Sequence, residues 1–329
     1  MTNTDVINFL KRNPSLSISG LEKEAEIPAS TLSKVMSGSR VLNDEHLGRL
    51  EPILKRYGYH ETMGAKVISI VNNKGGVAKT TTCSNLGRAL HLEGYKVLMC
   101  DLDQQGNLSQ TYGIDAPEDE LYQSLSFAIN APLHNCIMEI FEGLDICPSS
   151  IALGQAALDL QNNQLTGYKR MAKVLEQVKN EYDFILIDCP PSLDILTGTA
   201  LVASDSVILP VQPEEHAVKG LRNVFNLIEQ MKDLNSRIQV DGILYTLVNP
   251  NTTLHKSYME AIKEGMPHVR SFEAMIRRSI SIPEATATHQ SIFDYDKNSN
   301  GSKDYKAFAQ ELLGKVKKKK DKKEKVANG

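Results

Sequence analysis

The sequence predicts an α/β protein with a mostly parallel, doubly wound sheet, preceded by a small all-α module. Three observations carry that expectation. Apolar, β-branched runs at 67–71, 97–101, 184–188 and 206–211 alternate with helical periodicity at 79–92, 170–180 and 216–233, as in right-handed strand–helix–strand crossovers. Residues 1–60 show helical periodicity alone. The first apolar run passes into the first of these helices through a glycine-containing turn at 72–78, where backbone N–H groups can approach an anion. With 329 residues, 41% of them hydrophobic, the chain has material for one sizeable core and a smaller module.

In the N-terminal module, helical patterns run over Asp5–Lys11, Ile18–Ala25, Ser30–Met36 and Asp44–Tyr57. The middle two are separated by the short turn Glu26-Ile27-Pro28-Ala29, with Ser30 as an N-cap type and Ser37-Gly38 as a stop. Two short helices joined by a tight turn make a helix-turn-helix layout. The segment Ala25–Lys34 resembles the Cro/repressor class, in which it carries the recognition helix. Glu22 stands where that class has a small residue, and Glu26 where the turn often has glycine. The resemblance implies DNA reading by Ser30, Thr31, Ser33 and Lys34, with Arg40 beside them. A helical bundle used for dimer contacts is the alternative. Eight basic against seven acidic residues over 1–60 imply no strong electrostatic attraction.

Residues 61–65 are expected to be a linker, and 66–314 the α/β domain. Further strands are expected at 144–147, 240–248 and 269–272. The decapeptide Asn72-Asn73-Lys74-Gly75-Gly76-Val77-Ala78-Lys79-Thr80-Thr81 has the layout of a phosphate-binding loop. Its glycines admit backbone N–H groups to anionic oxygens, and the helix N-terminus adds a favourable dipole. Lys79 then reaches the β- and γ-phosphates, and the Thr80 hydroxyl binds Mg²⁺. This makes the fold one of P-loop NTPase type. The standard Gly-x-x-x-x-Gly-Lys-Ser/Thr is not met, because Asn73 replaces the first glycine and Ala78 precedes Lys79. Lys-Gly-Gly-x-Gly-Lys-Thr-Thr fits better, broken only at Ala78.

Two later strands end in acids. Val97–Asp101 leads through Leu102 to Asp103, followed by Gln104-Gln105-Gly106-Asn107. Phe184–Asp188 is followed by Cys189-Pro190-Pro191-Ser192. Carboxylates at the carboxyl ends of buried parallel strands face the crevice where open α/β sheets bind ligands.

Together, Lys74–Thr81, Asp101–Asn107 and Asp188–Ser192 resemble the three nucleotide motifs of ParA/Soj partition ATPases, of the deviant-Walker group that includes MinD. Leu209–Glu214, Ile282-Pro283-Glu284-Ala285 and Ile292–Asp296 extend the likeness over roughly 66–314. The resemblance implies an ATP- and Mg²⁺-dependent ATPase that dimerises face to face around two nucleotides. Lys74 reaches the partner's ATP, Lys79 is the phosphate lysine in its own chain, and Asp103 positions the attacking water. Gly75, Gly76, Val77, Ala78, Thr80 and Thr81 complete the cradle, Pro283 joins the nucleotide site, and Asp188 holds the metal with Thr80, through water. If position 78 needs a positive φ, alanine is strained there. Asn249, after the strand ending at Val248, pairs with an adenine edge or makes an Asn turn. The resemblance also implies a basic patch for non-specific DNA at Arg277 and Arg278, with Ser281 where the family has a further arginine; adjacent arginines on an ordinary surface are the alternative.

Composition bounds the rest. No stretch approaches 18 consecutive apolar residues, and no basic-then-apolar leader opens the sequence. Five cysteines without a Cys-x-x-Cys read as reduced, mostly buried thiols. A cytoplasmic, nucleoid-associated protein is expected. Residues 315–325 hold eight lysines and two acids, leaving −9 on the rest of a chain of net charge −3. Such a run is a disordered solubilising tail or a non-specific contact to nucleic acid. Only Val316, Val326 and Ala327 are apolar in 315–329, too little area for stable membrane insertion. The expected function is DNA partition. ATP drives dimerisation, the dimer binds DNA non-specifically, and a ParB-like centromere-binding protein stimulates hydrolysis; the N-terminal module adds operon autorepression. The alternatives are a transcription regulator with a nucleotide-sensing domain and a MinD-like membrane positioning ATPase.

Overall fold

The computed structural model describes residues 1, 3–13, 16–57, 59, 64–114, 133–149, 153–162 and 164–314. The Lys-rich 315–329 and the 61–63 part of the expected linker lie outside them. Packing divides the described residues into two compact units, one within Met1–His60 and Ala309–Gly329, the other within Glu61–Phe308.

The first unit contains α1 (Asn3–Arg12), α2 (Ile18–Glu24), α3 (Thr31–Met36) and α4 (Asp44–Arg56). Phe9, Leu10, Leu21, Leu32, Val35, Leu50 and Leu54 make its core, and Phe9 meets Tyr59 edge-to-face at 5.8 Å. Ser17 caps α2 by accepting from the Gly20 N–H, and Asn43 caps α4 by accepting from that of His46. Ser30 occupies the N-cap position of α3 with φ 63° and makes no side-chain cap. Glu22 does that work instead: its buried carboxylate accepts from the Ser30 N–H at 3.0 Å and the Leu32 N–H at 2.7 Å. Glu26 takes φ 51°, the left-handed conformation that a glycine at that turn position adopts freely. Both departures from the repressor pattern thus have a defined place in the backbone.

The second unit is built on a seven-stranded sheet, β1 (Lys66–Ile70), β2 (Val97–Asp101), β3 (Met138–Phe141), β4 (Leu144–Cys147), β5 (Phe184–Asp188), β6 (Ser206–Val211) and β7 (Gln239–Tyr245), ordered β3-β4-β2-β5-β1-β6-β7. All pairings are parallel except β3–β4. Helices α5 (Lys79–Leu92), α6 (Asn107–Thr111), α7 (Leu153–Gln161), α8 (Gln164–Gly167), α9 (Arg170–Leu175), α10 (Ile195–Ala203), α11 (Ala217–Met231), α12 (Thr253–Gly265), α13 (Ser281–Ala287), α14 (Ile292–Tyr295) and α15 (Asn300–Leu312), of which only the part up to Phe308 falls in this unit, complete the order. Strands β2, β5 and β6 are buried along their whole length, as continuous apolar runs in a parallel sheet require.

Three expectations are corrected. The segment 269–272 is no strand; Ser271 makes a single bridge to Ile243. Strand β7 stops at Tyr245 because Leu247 turns the chain at φ 53°. The helix expected over 170–180 ends at Leu175, and turns follow. Strand β3 was not anticipated; it is a short edge strand of alternating exposure joined to β4 through Gly143 at φ 89°. All five cysteines are buried thiols outside any disulfide. Among the described residues no helix is long and apolar enough to cross a membrane.

Candidate phosphate and nucleotide site

The site forms at the carboxyl ends of β1, β2 and β5, because β1 lies between β5 and β6 and hands the chain to α5 through the glycine turn. Asn72 shapes the turn from both sides. Its Oδ1 accepts from the Lys74 N–H at 3.0 Å, and its Nδ2 donates to the Pro210 carbonyl at 2.7 Å. Gly76 lies at φ 74° and Ala78 at φ 66°, ψ 35°, so the alanine does occupy a left-handed position. A Cβ on Gly75 or Gly76 would meet nothing within 4 Å; open space lies over the loop. Val77 is buried, and its carbonyl accepts from the Thr246 hydroxyl at 2.9 Å. It anchors the loop and does not face the cavity.

Lys79 opens α5 with only 7% of its surface exposed, and its Nζ donates to the Lys74 carbonyl at 2.9 Å. Burial lowers its pKa, opposed by Asp188, Cys189 and Asp103. Asp188 ends β5 in register with both Ile70 and Asp101. It is fully buried, and neither carboxylate oxygen has a hydrogen-bond partner. Burial, then Asp101, pushes its pKa well up, while the Thr80 side chain and Lys79 favour the ionised form. A buried carboxylate with no donor in hydrogen-bonding geometry, its charge favoured by the Thr80 side chain and Lys79, is the chemistry of a hard-cation site completed by other oxygens.

Asp101 is fully used by its own chain. It accepts from the Asp103 N–H at 3.2 Å and from Ser109 through N–H at 2.9 Å and Oγ at 2.7 Å. Burial raises it to about 6. The Ser109 Oγ in turn accepts from the Ser149 N–H. This network holds the turn that carries Asp103, whose Oδ1 caps the Gln105 N–H at 3.0 Å. Sequence reasoning missed Ser109, since a serine two residues after Gly106-Asn107 carries no periodic signal.

A cavity of about 760 Å³ opens above these groups. Gly75, Gly76, Ala78, Lys79, Thr80, Thr81 and Asp103 line its polar end, and Leu247, Ile276, Ile282 and Pro283 give an apolar wall. Pro283 therefore falls where expected. Asn249 does not line the cavity: it is exposed, and its Oδ1 accepts from the Asn251 N–H at 3.2 Å. It makes the Asn turn through its Oδ1. Lys74 is paired within its own chain, its Nζ donating to Glu214 of the β6–α11 connection.

Of the expected DNA contacts, Arg277 is engaged within its own chain and Thr31 is contradicted by its burial. Arg277 is tied to Asp304, which accepts from its N–H at 2.9 Å, Nε at 3.0 Å and Nη2 at 2.6 Å. That fork geometry is structural. Arg278 is exposed and makes no ion pair among the described residues. Thr31 is completely buried and accepts from the Arg40 Nη1 at 3.2 Å, so it cannot read a base edge. Ser30, Ser33 and Lys34 are exposed.

Comparison with known proteins agrees with this site. Residues 65–240 match the AAA domain family. The chain is 36% identical over 249 residues to the sporulation initiation inhibitor protein Soj of Bacillus subtilis, covering 75% of this chain and 98% of Soj. It is 33% identical over 254 residues to the chromosome partitioning protein ParA of Caulobacter vibrioides, covering 75% of this chain and 94% of ParA. Among solved structures, the septum site-determining protein MinD of Pyrococcus horikoshii, complexed with Mg-ADP, superposes with a TM-score of 0.61 at 27% identity, covering 75% of this chain and 96% of MinD. A phosphate-type loop over two strand-end carboxylates, in a chain three quarters of which matches nearly the whole of Soj and ParA, means that the chain belongs to the ParA/Soj family of chromosome-partitioning P-loop ATPases.

Proposed function

We propose that this protein is a DNA-partition ATPase that binds Mg–ATP in the cavity over Lys79 and cleaves it to ADP and phosphate. The observation that carries the reading is Asp188, a buried carboxylate with no donor beneath the loop that begins α5. Thr80 and Asp188, the latter through water, would hold Mg²⁺, which would supply positive charge to the phosphates. Gly75, Gly76 and Ala78–Thr81 receive the phosphates, and Lys79 leaves the Lys74 carbonyl for them. The apolar wall of Leu247, Ile276 and Pro283 takes the base. Asp103 orients the attacking water. Its position on a turn braced by Asp101 and Ser109 suits that role, since orientation is most of what phosphoryl transfer asks of a protein.

In this reading ATP brings two chains together, with Lys74 crossing to the partner's nucleotide. The dimer binds nucleoid DNA without sequence preference, through Arg278 and the Lys-rich 315–329, and a ParB-like centromere-binding protein triggers hydrolysis and release in the cytoplasm. Residues 1–60 form a helix-turn-helix module that presents Ser30, Ser33 and Lys34 to an operator; 61–65 link it to the ATPase domain, 66–314. Lys79→Ala tests the reading. It is expected to abolish ATP-dependent dimerisation and DNA binding, whereas Asp103→Ala keeps both and stops turnover. Normal hydrolysis by Lys79→Ala would refute the loop assignment.

A second reading, a transcription regulator with a nucleotide sensor, is favoured by the exposure of Ser33 and Lys34 on α3. Salt-dependent, ATP-requiring binding to random DNA distinguishes the two, because only the partition ATPase needs it.

A further inference from the structure

We infer that Glu214 is a positioning residue for Lys74: it holds the lysine within its own chain and sets how readily two chains close around nucleotide. The inference rests on the dimerising ATPase proposed above.

Two independent sets of contacts carry it. The first is the ion pair itself, from Lys74 Nζ to Glu214 Oε1, joining residues 140 positions apart. The second is the way the Glu214 connection is gripped at both ends by the residues just before Lys74. At the β6 end, Asn72 Nδ2 donates to the Pro210 carbonyl. At the α11 end, Asn73 Oδ1 lies so close to Gly220 that a Cβ there would stand 3.0 Å from it. The Asn72 Oδ1 fixes the Lys74 backbone N–H in the same stroke. The segment 72–74 and the β6–α11 connection are therefore one contact surface, and the ion pair closes it.

The consequence follows from where Lys74 has to go. An ammonium has three donors to share; in the arrangement inferred here Lys74 turns them to the second chain's phosphates, and closure of the dimer breaks the pair with Glu214. Lys74 is 51% exposed and Glu214 30% exposed, so the pair is screened by solvent and its effect on the equilibrium is modest. A weak restraint suits a threshold: strong enough to disfavour closure around an empty or half-filled site, weak enough for a triphosphate to displace it.

The test measures the monomer–dimer midpoint of the full chain by sedimentation with saturating Mg²⁺ and a non-hydrolysable ATP analogue, for wild type, Glu214→Gln and Glu214→Asp. Binding of a fluorescent ADP to the monomer is read in parallel. Glu214→Gln is expected to dimerise at a protein concentration about four- to twenty-fivefold lower than wild type, about two- to fivefold for each of the two part-exposed ion pairs broken per dimer. Its affinity for ADP is unchanged, the gain shrinks toward nothing at about 1 M salt, and Glu214→Asp lies nearer wild type. A midpoint for Glu214→Gln equal to or above that of wild type overturns the inference while leaving the ATPase reading intact. A wild-type chain that stays monomeric with the analogue overturns the proposed function, and this inference with it.

Discussion

Replacing Ala78 by glycine should stabilise the protein, and the structure sets the size of the effect. Ala78 sits at φ 66°, ψ 35° immediately before α5. A left-handed conformation costs an L-residue about 1–2 kcal/mol. Glycine removes that cost but adds freedom to the unfolded chain, worth about 0.4–1 kcal/mol in the other direction. The net expectation is about 0.5–1 kcal/mol in favour of Ala78→Gly. For a domain of this size, ~1 kcal/mol moves Tm by about 2–4 °C, so thermal unfolding followed by circular dichroism should rise by about 1–4 °C. Gly76, at φ 74° with open space around its Cβ position, provides the opposite control: Gly76→Ala should lose a similar amount through backbone strain alone. Nucleotide affinity should change little in Ala78→Gly, since the substitution removes no polar group from the cavity. A fall in Tm for Ala78→Gly, or a rise for Gly76→Ala, would show that the loop does not keep this left-handed geometry in solution.

Three further outcomes follow from the same contacts. Glu22→Ala removes the carboxylate that caps α3 and should cost the N-terminal unit about 1–2 kcal/mol, read by urea unfolding of helical signal, with nucleotide binding unchanged; an unchanged midpoint would deny the cap its role. Asp304→Ala strips Arg277 of four hydrogen bonds and should lower stability by about 2 kcal/mol while leaving non-specific DNA affinity unaltered; a specific loss of DNA binding without destabilisation would return Arg277 to the DNA surface. Without nucleotide, the protein should lose stability as pH rises. Asp101 is raised by burial to about 6 from 3.8, and Asp188 is raised further by burial and by Asp101. Groups with raised folded pKa values contribute most below the unfolded value and lose that contribution as pH climbs through the folded one. Asp101 loses its contribution between about pH 4 and 6, and Asp188 extends the decline upward. Urea midpoints at pH 5 and pH 7.5 should show this fall, and Mg–ADP should flatten it; a rise toward pH 7.5 in the free protein would contradict the burial of both acids.

The alternation of strands and helices was legible in the sequence because a parallel sheet covered on both faces demands continuous apolar runs, and β1, β2, β5 and β6 are such runs. The phosphate loop was legible because its glycines, Lys79 and Thr80 are consecutive, so the chemistry is local. The expectation of strain at Ala78 was local too, and the observed φ met it. What the sequence left open depends on groups distant along the chain. Glu22 looked like a flaw in a repressor motif, yet its carboxylate reaches the N–H groups of Ser30 and Leu32 across the turn. Thr31 looked like a base reader, but only packing shows which side of a short helix is covered. Arg277 looked like a free cation until α15 brought Asp304, 27 residues on, against it. Strand β3 is brief and alternates in exposure at a sheet edge, where little apolar area is needed and little pattern remains. Tertiary structure alone decided these, because burial, charge pairing and capping over distance arise from which surfaces meet, and no local pattern encodes that meeting.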